Sequence, residues 1–132
     1  MQGRFIYITM TLLCITAAAT AQQTRIYTDP QADFNQAKEY FQKEQYSLAY
    51  PLFKELRNEM RSADRSNNNI TYDDVQFYTI ACGLLQNETF AAEEAKGFIV
   101  LNYNPSLTQR LSFHLAEYHF RKNDMREALA YY

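Results

Sequence analysis

The same spacing of small and ring-bearing residues occurs twice in this chain: Ala37, Tyr40, Tyr46, Ala49 and Phe53 in one stretch, and Ala116, His119, Met125, Ala128 and Tyr132 in another. Residues about one helical turn apart lie on one face, so Ala37 with Tyr40, and Ala116 with His119, each make a small-plus-large pair on a single helix. The longer step to Tyr46 or Met125 crosses Glu44-Gln45 in one copy and Asn123-Asp124 in the other, where a turn is expected. Such a pattern constrains the chain to helix-turn-helix hairpins: the small residues let paired helices approach closely, and the rings fill the space between them.

The first residues have a different character. Arg4 is followed by an apolar stretch from Phe5 to Ile15 and by Thr16-Ala17-Ala18-Ala19-Thr20-Ala21 before the polar Gln22-Gln23. A charged start, an apolar middle and small residues at Ala19 and Ala21 predict a secretory signal peptide over 1–21, cleaved after Ala21. An uncleaved anchor would need the stretch from Phe5 to Ala21 to span a bilayer, at the lower limit of roughly 17 residues. A lipid-anchored form would use Cys14, but Leu13 before it is not the small residue such a site needs. Cleavage leaves a single domain, 22–132, with Cys82 as its one cysteine and no internal disulfide. Cys82 stands among Ile80, Ala81, Leu84 and Leu85 and reads as a small buried hydrophobe. The formal net charge of −2 gives neither a nucleic-acid footprint nor a polybasic membrane patch. Asn69-Ile70-Thr71 and Asn87-Glu88-Thr89 have the form of glycosylation sequons and are read as chance matches, the second because it lies in a short turn.

Six helices are expected. Thr28-Asp29-Pro30 supplies a cap and a proline at the first helical position, opening a helix from about Pro30 to Lys43. A second runs from near Ser47 to about Met60. Pro51 forfeits only a bond to the Ser47 carbonyl in its first turn, so it predicts a slight bend. Arg61 to Asn69 has no apolar period and reads as a loop. Thr71 with Asp74 opens a third helix through Leu85, Asn87-Glu88 turns, and Thr89 is expected to cap a fourth that ends at Asn102-Tyr103-Asn104-Pro105. Two capping boxes, Ser106 with Gln109 and Asp124 with Glu127, are expected to open the fifth and sixth.

These residues resemble the tetratricopeptide repeat, a unit of about 34 residues with Leu-Gly and Tyr in its first helix, Gly-Asp-Tyr at its turn, and Ala and an aromatic in its second. Leu115-Ala116, His119-Phe120, Asn123-Asp124-Met125, Ala128 and Tyr132 follow that order, as do Ala37, Tyr40-Phe41, Tyr46, Ala49 and Phe53. In the first unit Glu44-Gln45 replaces Gly-Asp, so its turn is expected to differ in detail. The middle unit keeps only Ala81, Phe90 and Pro105, with Glu93 and Gly97 where Ala and an aromatic are usual. The resemblance implies an all-α fold, a right-handed α-solenoid of about three hairpins after a signal peptide, with repeats at about 30–60, 72–105 and 106–132. The last repeat stops partway through its second helix, which leaves a helix face open. The expectation is a longer repeat protein or an interrupted reading frame; if the polypeptide ends there, the last helix is expected to fray or to pair with another copy through that open end.

Chemistry is hard to place on this chain. His114 and His119 are too far round a helix from one another to form a zinc motif, the glycines (Gly3, Gly83, Gly97) stand alone, and no nucleophile has a base at a recognisable spacing. No catalytic residues, metal or cofactor are assigned, and no enzymatic activity is expected. The paired acids Asp73-Asp74 and Glu93-Glu94 fall in first helical turns, where they favour the helix dipole. The family resemblance implies a concave surface on the first helix of each hairpin. It places Phe34, Lys38, Phe41 and Gln42 there, then Tyr78, Cys82, Leu85 and Gln86, then Arg110, Phe113, Glu117, Phe120 and Arg121. Aromatics with cations at the edge suit an extended peptide with apolar anchors and some acid. The expected role is therefore an exported bacterial scaffold or adaptor in the periplasm or at the outer membrane, binding protein or peptide partners, with no nucleic-acid partner and no integral membrane segment after cleavage. Two other roles stay open, a glycan-capture component of an outer-membrane uptake system and the N-terminal scaffold of a larger envelope enzyme.

Overall fold

The computed structural model of the protein describes residues 29–62 and 70–132. The expected signal peptide, its expected cleavage point after Ala21, Cys14, Thr28 and most of the expected loop lie outside them. The described residues form six α-helices and no strands: α1 Pro30–Gln42, α2 Tyr46–Ser62, α3 Tyr72–Leu85, α4 Ala91–Leu101, α5 Pro105–Arg121 and α6 Met125–Tyr131. None of these helices is long and apolar enough to cross a membrane.

Three hairpins, α1–α2, α3–α4 and α5–α6, turn in the same way. A residue with positive φ follows the first helix of each: Glu44 at 58°, Asn87 at 60° and Asn123 at 65°. In each turn the next N–H reaches back to a carbonyl of the helix it leaves, Gln45 to Tyr40 at 2.9 Å, Glu88 to Gly83 at 2.9 Å and Asp124 to His119 at 3.0 Å. This is the Schellman closure, which satisfies carbonyls that a helix end leaves unpaired. The first turn therefore does not differ from the others as its Glu44-Gln45 suggested. The turn geometry is imposed by the bonds it closes, and Glu44 is driven into a left-handed conformation that is costly for a residue with a Cβ. Glu44→Gly should accordingly stabilise the fold by about 0.5–1 kcal/mol. Asn123→Gly should do less, because asparagine visits that region more readily. Chemical denaturation of both variants measures the difference.

Helix starts correct two other expectations. The fourth helix has no side-chain cap at all. Phe90 occupies the cap position in a helical conformation (φ −101°, ψ −2°), so Thr89 has no orphan donor within reach, and Phe90 is 74% exposed rather than packed. The fifth helix is capped by Asn104, whose Oδ1 accepts from Ser106 N at 3.1 Å and Leu107 N at 3.4 Å. Pro105 takes the first helical position, so Ser106 lies inside the helix and makes no box with Gln109. Thr71 and Asp74 do form the reciprocal box, whereas Asp124 accepts from Glu127 N without a return bond. The reason is local: the Asp124 N–H is already engaged with the His119 carbonyl.

Close docking occurs where the small residues stand. Ala37, Ala49 and Ala116 are fully buried and Ala128 nearly so. In the middle hairpin Gly83 and Ala91 approach closely, since a Cβ at Gly83 would come within 3.0 Å of the Ala91 Cβ. Each helix packs on the next in sequence, and α3 also packs on both α1 and α5, while the backbones of α1 and α5 stay apart. The core is aromatic at one end, with Tyr78 as its hub. Its ring stacks on Phe53 (centroids 5.1 Å, 10°) and meets Phe34, Phe41 and Phe77 edge-on at 5.7, 5.1 and 5.1 Å. Farther along, Ile80, Leu84, Leu111 and Leu115 are buried between α3 and its neighbours.

Candidate functional site

Burial of this aromatic cluster divides the expected binding residues. Phe34 and Tyr78 are each only 8% exposed and belong to the core, so they are not the open rings that the family resemblance implied. Cys82 is buried as well, and burial pushes its thiol up to about 12, so it stays protonated and unreactive at neutral pH. The misassignment has a simple cause. A residue facing inward on one helix and a residue facing a groove share the same spacing, and only the position of the neighbouring hairpin tells them apart.

Several of the remaining residues lie around His114. Its imidazole lies 6.3 Å from the Phe41 ring of α1, 6.2 Å from the Phe77 ring of α3 and 6.3 Å from the Phe113 ring on its own helix. Arg110, one turn earlier, holds its guanidinium over Phe77 at 4.5 Å and over Tyr78 at 5.9 Å, distances suited to cation–π attraction. Arg121 donates from Nη2 to the Leu84 carbonyl at 2.9 Å, tying α5 to the end of α3. Gln86 does the same for α2, donating to the Tyr46 carbonyl at 3.2 Å. The Glu117 carboxylate accepts the hydroxyl proton of Tyr132. Phe113 and Phe120 remain open, at 54% and 52% exposed. Lys38 and Phe41 are half-buried, and Arg110 and Arg121 are exposed.

Of the residues expected on that surface, Phe41, Arg110, Phe113 and Arg121 lie around a histidine. By its sequence that histidine reads as a groove or surface residue, and Arg110, His114, Glu117 and Arg121 recur at helical intervals. Burial lowers the pKa of His114, the Arg110 and Arg121 cations add to the shift, and Glu117 opposes it. The imidazole is therefore neutral near pH 7 and prefers an uncharged form more strongly in the folded chain than in the unfolded one. Stability contributed by this group is present above the ordinary imidazole pKa of 6.5 and is lost as pH falls below it. Urea titrations at neutral and mildly acid pH should show that decline, reduced in His114→Phe.

His119 is placed differently. It is buried in the third hairpin, stacked on Tyr131 (centroids 6.1 Å, 9°), with Nδ1 3.5 Å from the Asp124 carboxylate and no hydrogen-bond partner for Nε2 among the described residues. The two histidines thus belong to separate sites. Among the described residues no three His, Cys, Asp or Glu side chains gather as a metal-binding group. Comparison with known proteins finds no matching family model, no matching curated protein and no matching solved structure.

Proposed function

We propose that the chain is a scaffold of tetratricopeptide type, its three hairpins stacked as a right-handed solenoid, and that it binds extended peptide segments of partner proteins on the surface formed by α1, α3 and α5. The observation that carries this reading is the meeting of rings from three separate helices around His114, with the Arg110 and Arg121 cations of α5 nearby and Phe113 left open beside them. An open ring next to fixed guanidinium groups offers an apolar anchor and a charge contact without chemistry. The packing supports the stacking: each hairpin touches its neighbour, the first and third keep their backbones apart, and all three close with the same turn. The apolar segment ahead of Ala21 supports export, which places the partners in a bacterial periplasm or at an outer membrane.

A photo-crosslinking side chain at Phe113 tests the surface, with the same group at Val100 on α4 as control, since Val100 is also open but lies on another helix. Partner adducts at Phe113 that are absent at Val100, and that weaken in Arg110→Gln, are the expected result. Equal adducts at both positions, or none at Phe113, would count against the groove. Phe34 and Tyr78 are unsuitable for this purpose, because truncating either would remove core packing and confuse unfolding with loss of binding.

A further inference from the structure

A second concavity, of about 480 Å³, opens between α2, the start of α3 and the end of α4, and it shares no residue with the surface around His114. Its size falls within the range of small-molecule sites. Its charges are equal in number and divided by wall. Arg57 and Arg61 come from α2, Asp73 from α3 and Glu94 from α4. One pair is closed across the opening, Arg57 Nη1 to Glu94 Oε2 at 3.3 Å. Arg61 and Asp73 are both exposed on the same cleft and have no ion-pair partner among the described residues.

Gly97 adds an independent observation. It stands in the interior of α4, where glycine is the least favourable residue after proline, and beyond its chain neighbours and its own helix backbone no atom lies within 4 Å of where its Cβ would be. Packing does not require a glycine there. What its absent side chain provides is bare backbone facing the cleft, the kind of surface that lets a ligand approach closely.

We propose that this cleft binds a small zwitterion, the charged ends of a free amino acid or of a short unblocked peptide, with the carboxylate on Arg61, the ammonium on Asp73 and the body of the ligand across Gly97. Segregated charges of opposite sign select a dipolar ligand over an anion, a cation or an uncharged one, because each end of the dipole meets its complement and neither is left unpaired. A guanidinium can hold the carboxylate through two parallel bonds, which sets the orientation. The Gln76 amide, also on the lining, can serve a peptide bond between the two ends, as can the Asn102 amide nitrogen, the Asn102 Oδ1 being engaged by Asn104 N at 2.8 Å.

Amide-signal titrations of the labelled protein with leucine, leucyl-glycine, N-acetyl-leucyl-glycine and leucyl-glycinamide test this, at concentrations up to the millimolar range. Signals at Gly97, Gln76 and Asn102 should move with the unblocked probes, and leucine against leucyl-glycine tells an amino-acid site from a peptide site. Blocking either end should weaken binding about tenfold, equivalent to about 1.4 kcal/mol. Arg61→Gln should abolish only the preference for a free carboxylate, and Asp73→Asn only that for a free amine. Gly97→Gln, which fills the cleft with a better helix former, should remove binding while the melting temperature holds or rises. Equal binding of blocked and unblocked probes, or no shift with any probe, overturns the proposal. So do Arg61 and Asp73 variants that alter melting but keep the discrimination, since their charges would then serve the helix ends alone.

Discussion

Phe53→Ala should cost about 3–5 kcal/mol of folding stability, the largest loss expected from any single substitution considered for this protein. The ring is fully buried, stacks on Tyr78 at 5.1 Å and meets Phe34 edge-on at 5.9 Å, so its removal deletes transfer energy and opens a hole that three helices cannot collapse to fill. Against a total of about 5–15 kcal/mol for a domain, that is a large fraction. The informative control is Tyr132→Ala. Tyr132 occupies the same place relative to Asn123 that Phe53 occupies relative to Glu44, yet it is 62% exposed, because none of the described helices covers it as α3 covers Phe53. Its loss should cost less than about 1 kcal/mol. Denaturant unfolding followed by far-ultraviolet circular dichroism compares the two. Equal costs would show that the burial of the first hairpin by α3 does not hold.

Ala116→Leu should destabilise the third hairpin by about 1–3 kcal/mol, by overfilling rather than by emptying. Ala116 is fully buried on α5, and Ala128 on α6 is nearly so, in the hairpin whose core also holds His119 stacked on Tyr131. A larger side chain must push α6 away or take a strained rotamer. Ala130→Leu on the exposed side of α6 adds the same atoms where they meet solvent and should be near neutral. The pair separates steric overfilling from any change in helix propensity, which alanine and leucine nearly share. If Ala116→Leu melts like the parent chain, the close approach of α5 and α6 is refuted.

Local signals made most of the helices legible in advance. Caps at Asp29 and Thr71, prolines at first helical positions and the periodic small residues located helix ends to within a few residues, because those choices depend on neighbours in sequence. Where two local solutions competed, the reading failed. Asn104 and Ser106 can each cap a helix, and the missing N–H of Pro105 decided for Asn104. Thr89 can cap in principle, but the closure around Asn87 placed Phe90 at the helix start instead. Glu44 is a further case, since nothing in its side chain announces a left-handed conformation that the Schellman bonds impose on it.

The candidate sites were legible only in part. Phe113, Arg110 and Arg121 are exposed on α5, while Phe34 and Tyr78 are buried in the core. The convergence on His114 joins residues of α1, α3 and α5, and the cleft beside Gly97 joins α2, α3 and α4.

By itself the order of residues determined helical periods, hairpin turns and the places where two helices can touch, since each of these rests on hydrogen bonds and contacts within one turn or one hairpin. Tertiary structure alone decided which rings became core and which stayed open, and which charges faced one another across a cleft. Those outcomes depend on how one hairpin covers the next, and a helix with the same spacing is buried or bare according to what packs against it.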